Sequence, residues 1–130
     1  MDEAKAMELG RRALAAGWRW MPGALGRTPD MVIRSSAAPY VGAWPDFRDP
    51  ATVGVLLAQV RERWGDPDLY ARRSDTRRLS DGMLAWEVLG WADAEHSPTG
   101  KPVSWRGWGY ATEAEALVAV LEAALGREER

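Results

Sequence analysis

Four arginines within seven residues are the densest group of chemically useful side chains in this sequence. The run reads Arg72-Arg73-Ser74-Asp75-Thr76-Arg77-Arg78. A guanidinium group forms forked hydrogen bonds with phosphate, and it also stacks on planar rings. The pattern places this run at the tip of a β-hairpin, where we expect it to bind a ligand.

Aromatic side chains follow the arginine run in two strand-like segments. Together they predict one ligand-binding set: Arg72, Arg73, Arg77, Arg78, Trp86, Trp105, Arg106, Trp108 and Tyr110. Arginine for phosphate and tryptophan for a base is the chemistry of nucleotide binding, in which each stacked base contributes roughly 1–3 kcal/mol. The same residue types dominate protein–protein interfaces. A solvated basic loop above an aromatic core is the third interpretation of this pattern.

The known phosphate-binding motifs do not fit the sequence. Gly100-Lys101 is followed by Pro102, where a phosphate-binding loop requires serine or threonine. The turn Gly107-Trp108-Gly109 leads towards a helix, but Thr112 stands where a dinucleotide fingerprint has its third glycine. What remains is anion binding by the helix N-terminal amides alone.

The other candidate catalytic and metal-binding groups are sparse. His96 has Asp93 and Glu95 nearby for acid–base chemistry, although an exposed loop histidine explains it as well. Asp66 and Asp68 could bind a hard cation or simply end a helix in solvent. No base accompanies any serine, and cysteine is absent. We therefore expect no enzyme activity, no cofactor and no metal site.

Length and charge restrict the remaining possibilities. A chain of 130 residues is long enough to bury one hydrophobic core, so a single domain over residues 1–130 is expected. Its formal charge of −2 disfavours a general nucleic-acid binder. No apolar run reaches the ~20 residues of a membrane span, and the start Met1-Asp2-Glu3 is unlike a secretory signal. We expect a soluble, cytoplasmic protein.

Two compositional biases have more than one explanation. Arginine outnumbers lysine fifteen to two, asparagine is missing, and eight tryptophans stand beside one phenylalanine. A GC-rich genome favours the codons of arginine and tryptophan and disfavours those of lysine, asparagine and phenylalanine, which is one explanation. The tryptophans nevertheless carry large surfaces that must be buried or used in binding.

Three helices are predicted from their caps and apolar periodicity. The first runs from about Asp2 to Ala16, before Gly17. The second starts at Asp49-Pro50 and ends at Gly65. The third opens with the capping box of Thr112 and Glu115 and is expected to close at Gly126.

Five strand-like segments lie between these helices. They span residues 18–21, 31–33, 69–73, 83–91 and 103–110. Alternation in the last segment places Trp108 and Tyr110 on one face, and Trp105 on the other. We expect an α+β fold with a mostly antiparallel sheet of about five strands and three helices packed on one face. The second face would then be covered by residues 21–48, by another subunit or by a ligand.

Three blocks of sequence carry a resemblance to a known family. They are Gly17-Trp18-Arg19-Trp20-Met21-Pro22-Gly23, residues 45–54 continuing to Arg61 and to residues 64–67, and residues 112–118. Together they resemble a family of small uncharacterised proteins encoded by tailed phages and prophages of GC-rich bacteria. The resemblance implies a phage accessory protein, a class that often binds host factors or neutralises defence signals.

The sequence thus favours a non-catalytic phage or prophage protein that counteracts host defence by binding a host protein or a second copy of itself. Its Trp- and Arg-rich surface would make the contact. One alternative is a protein that sequesters a phosphorylated nucleotide signal. A second alternative is single-stranded nucleic-acid binding, which the negative net charge disfavours.

Overall fold

The computed structural model describes residues 1–28, 32–34, 42–90 and 104–128. Along these ranges the elements are α1 (Glu3–Ala15), β1 (Leu25–Arg27), β2 (Val32–Arg34), β3 (Trp44–Pro45), α2 (Pro50–Trp64), β4 (Tyr70–Arg78), β5 (Leu84–Gly90), β6 (Ser104–Tyr110) and α3 (Glu113–Glu128). The predicted α+β class with three helices is confirmed. None of the described helices has the length and apolar character needed to cross a membrane.

The helices begin at the caps that the sequence predicts. In α2, the Asp49 carboxylate accepts the Thr52 backbone N–H at 3.1 Å. In α3, Thr112 Oγ1 accepts the Glu115 N–H at 3.1 Å, and the Glu115 carboxylate accepts the Ala111 N–H at 3.2 Å. These side chains satisfy amides that have no partner within the helix, so local sequence alone sets each start.

The helix ends follow the prediction in two cases out of three. Gly17 and Gly65 have φ angles of +96° and +64°, the left-handed conformation that ends a helix. Gly126 does not end α3, which continues to Glu128. No proline follows Gly126, and a glycine inside a helix costs only about 1 kcal/mol, so the helix runs on.

The strands form two antiparallel sheets, which corrects the expectation of a single sheet. One sheet has the order β2-β1-β3 and the other has the order β4-β5-β6. β3 packs against α1, whereas β4, β5 and β6 all contact α3. The described part of residues 21–48 therefore belongs to a separate sheet beside α1.

The segment at 18–21 is not a strand, contrary to the alternating pattern there. The side-chain amide of Gln59 takes the place of a neighbouring strand. Its Nε2 donates to the Arg19 carbonyl at 2.7 Å, and its Oε1 accepts the Arg19 N–H at 2.9 Å. The ring of Trp18 packs edge-on against Trp20 and Phe47, so its alternation reflects core packing.

Helix α3 holds the core together because it contacts α1, α2 and the β4–β6 sheet. The largest fully buried side chains include Leu9, Leu56, Leu69, Val88, Leu117 and Leu121. Trp64 adds a polar link between α2 and α3, since its Nε1 donates to the Val120 carbonyl at 3.0 Å.

Candidate functional site

The β4–β6 sheet has one face against α3 and one face turned away from it. Gly107 in β6 lies opposite Val88 in β5, and a Cβ atom at Gly107 would lie 3.0 Å from Val120 of α3. These positions therefore mark the inner face. Since side chains alternate along a strand, Glu87 and Ala85 lie on the opposite face, which we call the outer face.

An ion pair between the exposed Arg72 and the buried Glu87 lies on the outer face. Glu87 is 2% exposed, and its carboxylate accepts a hydrogen bond from Arg72 Nε at 3.0 Å across β4 and β5. This hydrogen bond raises the pKa of the Arg72 guanidinium above its ordinary value, against the opposing effect of burial. Arg72 is therefore a permanent charge whose position is set by Glu87.

A bulge in β6 turns Trp108 onto the outer face. Trp86 pairs with Tyr110, but the next residue, Glu87, pairs with Trp108, so Gly109 is one residue extra. Gly109 has a φ of +91°, a conformation that glycine adopts without steric cost. The prediction that Trp108 and Tyr110 share a face is therefore wrong: Tyr110 packs against the core, and Trp108 is 57% exposed.

A larger irregularity in β4 accommodates the arginine run. Arg73 pairs with Trp86 and Arg78 pairs with Leu84, so residues 74–77 face Ala85 alone. The buried Ser74 closes this excursion, because its Oγ accepts the backbone N–H groups of Thr76 at 3.3 Å and Arg77 at 3.0 Å. The run lies in a bulged strand, which corrects the expected hairpin tip; the tip lies at residues 79–83.

The two irregularities bring Arg77 and Trp108 together. The guanidinium carbon of Arg77 lies 4.1 Å from the centre of the Trp108 ring. Arg77 comes from β4 and Trp108 from β6, so this contact crosses the central strand β5. A guanidinium over an indole face contributes about 0.5–1 kcal/mol at an exposed site, and it fixes the direction of the cation.

The remaining predicted residues of β4 and β5 lie apart from this stack. Arg73 and Trp86 form a second cation–π pair on the inner-face register, with 5.5 Å between guanidinium carbon and ring centre. Trp86 and Tyr110 are half-buried against the core. Arg78 donates to the Gly82 carbonyl at 2.7 Å and braces the hairpin turn. The predicted set therefore divides between the two faces.

For some predicted residues the structure describes only the backbone, and others lie outside the described residues. The backbone of Trp105 pairs with Leu89, and Arg106 is the extra residue of a second β6 irregularity, but their side chains are not described. His96, with Asp93 and Glu95, also lies outside the described ranges.

The other candidate groups form no metal-binding cluster in the described ranges. No group of three or more histidine, aspartate or glutamate side chains is placed there to hold a metal ion. Asp66 uses its carboxylate to accept the Asp68 backbone N–H at 3.2 Å. A groove of about 640 Å³ lies elsewhere, between the first turns of α2 and α3, with Phe47 and Leu57 in its lining.

Sequence reasoning missed the residues that shape the outer face. Glu87, Ser74 and Gly109 were outside the predicted set, although each contributes to the stack or to the ion pair. A glutamate inside an apolar strand and a glycine directly after a tryptophan were the available signals. Their meaning depends on register, which single-strand patterns do not determine.

Comparison of the chain with protein-family models, with curated proteins and with solved structures found no match. The resemblance to phage-encoded proteins therefore stays a prediction.

Proposed function

We propose that this protein is a non-catalytic binding protein whose recognition surface is the outer face of the β4–β6 sheet. The observation that carries the proposal is the Arg77–Trp108 stack. Because the Trp108 indole is 57% exposed, it contributes little buried surface to the core. Two strand irregularities nevertheless hold it against the Arg77 guanidinium. Tryptophan and arginine are the residue types most enriched at the energetic centre of protein interfaces.

The sheet favours recognition by its face over recognition by its edges. In the order β4-β5-β6, the two edge strands β4 and β6 both depart from regular pairing with β5. Bulges and arginine side chains are common means of preventing a further strand from adding to an edge. A partner would thus contact side chains on the outer face.

The placement of the helices supports the same assignment. α3 contacts all three strands, and α1 and α2 contact α3. We therefore propose that the three helices lie on one side of the β4–β6 sheet, as the sequence predicts. On the outer face, Ala85, Glu87 and Leu89 of β5 are already buried, so a partner, which includes a second copy of the chain, would contact the exposed Trp108 and the arginines of β4 on this face.

The resemblance to phage-encoded proteins supplies the biological side of the proposal. A phage accessory protein acts in the cytoplasm of its bacterial host, and a binding protein of this kind would counteract host defence by occupying a host protein.

Paired variants test the recognition surface. The tagged protein is used to recover partners from lysate of a GC-rich bacterium, and each recovered protein is quantified. We expect Trp108→Ala and Arg77→Ala to lose the same partner. Met21→Ala and Arg11→Ala change an exposed apolar residue and an exposed arginine elsewhere, and they should retain it. Equal recovery by all four variants would overturn the proposal.

A nucleotide is the second candidate ligand, favoured by the same stack. A base could stack on the open side of Trp108 while Arg77 contacts a phosphate. The purified protein would then show a raised 260/280 nm absorbance ratio and release a nucleotide on heating. Native mass spectrometry separates this outcome from self-association, because it reports both the subunit number and any retained small molecule.

Binding of a single-stranded oligonucleotide would instead weaken steeply with salt.

A further inference from the structure

We infer that the outer face binds an acidic protein segment, with a carboxylate held by Arg77 and an apolar side chain resting on Trp108. This inference rests on the proposed function and specifies the chemistry of the partner.

Local charge points to an acidic ligand. The β4–β5 hairpin, residues 70–90, carries four arginines and three carboxylates, whereas the whole chain has a net charge of −2. One of the carboxylates, Glu87, is buried and already pairs with Arg72. Among the described residues, neither Arg73, on the inner-face register, nor Arg78, at the hairpin turn, is paired with a carboxylate, so both add to the charge of the hairpin and not to the outer face itself. The hairpin thus has a net charge of +1 on a protein of net charge −2, which favours an acidic partner over a basic one.

The anion that fits best is a carboxylate. A phosphate group carries a charge of about −1.5 to −2 near neutral pH. Placed at Arg77, it would lie on the same face as the buried Glu87 carboxylate. A carboxylate has a single charge and accepts the same forked hydrogen bonds from a guanidinium, so it suffers less repulsion.

The shape of the site fits a protein segment better than a small molecule. Small ligands are usually enclosed in concave pockets. Trp108 is widely exposed on the face of a three-stranded sheet, and the groove between α2 and α3 is lined by other residues. An exposed indole ring with a cation stacked on it fits a partner that brings an apolar side chain and an acidic one together.

The stack also lowers the entropic cost of binding. A free arginine loses much of its side-chain freedom when it is immobilised. Arg77 is already restrained, because its backbone N–H is bound by Ser74 and its guanidinium rests on Trp108. A pre-positioned cation of this kind improves affinity because less side-chain conformational entropy is lost on binding.

Selection from a random peptide library tests the inference. The full-length protein is immobilised, and peptides that also bind the Trp108→Ala variant are discarded. We expect the remaining peptides to be enriched in Asp and Glu next to Leu, Ile, Phe or Trp. Enrichment of basic or uncharged peptides would show that the surface binds protein segments of a different chemistry, and would overturn the inference alone.

Titration of one selected peptide supplies the quantitative readout. The indole N–H resonance of Trp108, assigned by its loss in Trp108→Phe, should shift on addition of the peptide. Because a hydrogen bond between charged groups contributes about 1.5–3 kcal/mol, Arg77→Ala or replacement of the peptide's Glu by Gln should weaken binding about tenfold or more. Arg11→Ala, on the exposed side of α1, is the matched control and should bind as the wild type does.

The possible failures are distinguishable. If no peptide survives the Trp108→Ala subtraction and the Trp108 resonance shifts with neither peptide nor nucleotide, the proposed recognition surface is wrong. If the resonance shifts with a phosphoserine peptide or a mononucleotide but not with the acidic peptide, the surface binds a ligand and only the carboxylate assignment is wrong.

Discussion

At the scale of single residues, Asp46 is a carboxylate that accepts several hydrogen bonds from arginine. It is 1% exposed and accepts hydrogen bonds from Arg48 Nε at 3.0 Å, from Arg48 Nη2 at 2.9 Å and from Arg27. Burial alone would raise the pKa of the Asp46 carboxyl, but the hydrogen bonds from the two arginines outweigh burial, so its pKa lies below the ordinary value.

Asp46 therefore makes stability depend on pH in the acidic range. The unfolded chain binds a proton at Asp46 more readily than the folded protein, so this contribution is present above the ordinary value of 3.8 and is lost as the pH falls through the lower folded pKa. We expect urea unfolding of Asp46→Asn to show a smaller pH dependence in this range and a loss of about 2 kcal/mol near neutral pH. Asp68→Asn, an exposed control, should lose less stability near neutral pH than Asp46→Asn does; a wild-type slope in Asp46→Asn would contradict the assignment.

Gln59 is the second residue whose chemistry can be tested alone. Replacement by Leu removes both hydrogen bonds to the Arg19 backbone and leaves a partly buried N–H and C=O without partners. We expect a loss of about 1–3 kcal/mol in the free energy of unfolding, measured by urea denaturation. Glu62→Gln breaks only the exposed ion pair with Arg19 and should cost about 0–1 kcal/mol. Equal effects of the two substitutions would mean that Gln59 does not support the 18–21 segment.

At the scale of elements, the two helix glycines Gly10 and Gly54 differ in their surroundings. Gly10 lets α1 approach β3 closely, whereas Gly54 in α2 has no neighbour that requires a glycine. A Cβ atom at Gly10 would lie 2.5 Å from the Pro45 carbonyl oxygen and 3.1 Å from the Trp44 ring, so α1 can pack on β3 only because position 10 lacks a side chain. Gly54 in α2 is exposed and has no atom within 4 Å of an added Cβ.

The two glycines are expected to respond in opposite directions to alanine. Gly10→Ala forces α1 away from β3 and should destabilise the protein by about 1–3 kcal/mol. Gly54→Ala meets no obstacle and should stabilise it by about 0.5–1 kcal/mol, because alanine restricts the unfolded chain. Midpoints of urea unfolding for the two variants check both signs. A neutral Gly10→Ala would show that the α1–β3 contact is looser than the structure indicates.

At the scale of the whole molecule, the tryptophan side chains that the structure describes are buried or half-buried, except for the exposed Trp108. Trp18 is buried against Phe47, and Trp64 links α2 to α3. Trp108 contributes to neither contact and lies on the outer face. The large indole surface therefore serves stability at some positions and is available for binding at another.

Thermal unfolding separates these two groups. Trp18→Ala should cost about 3–5 kcal/mol, since it leaves a large cavity beside Phe47. Trp108→Ala should change stability by no more than about 1 kcal/mol, the contribution of an exposed cation–π contact. A strongly destabilised Trp108→Ala would place Trp108 in the core and would remove the basis for an outer-face binding surface.

Local sequence was sufficient for the helices because their signals are local. The Asp49 and Thr112 caps and the glycines after α1 and α2 act within one helical turn, and the structure has them as predicted. The run past Gly126 shows the limit of such signals, because a glycine permits a helix end without forcing one. The absence of cysteine, the charge and the density of arginine also follow from the sequence alone.

Tertiary structure alone decided which side chains meet. Whether Trp108 shares a face with Tyr110 depends on the extra residue at Gly109, and whether Arg77 reaches Trp108 depends on the excursion that Ser74 closes. A shift of one residue moves every later side chain of a strand to the other face, and strand pairing sets that shift. The residue types for binding can be identified in the sequence, but the surface they form is determined by how the strands pair.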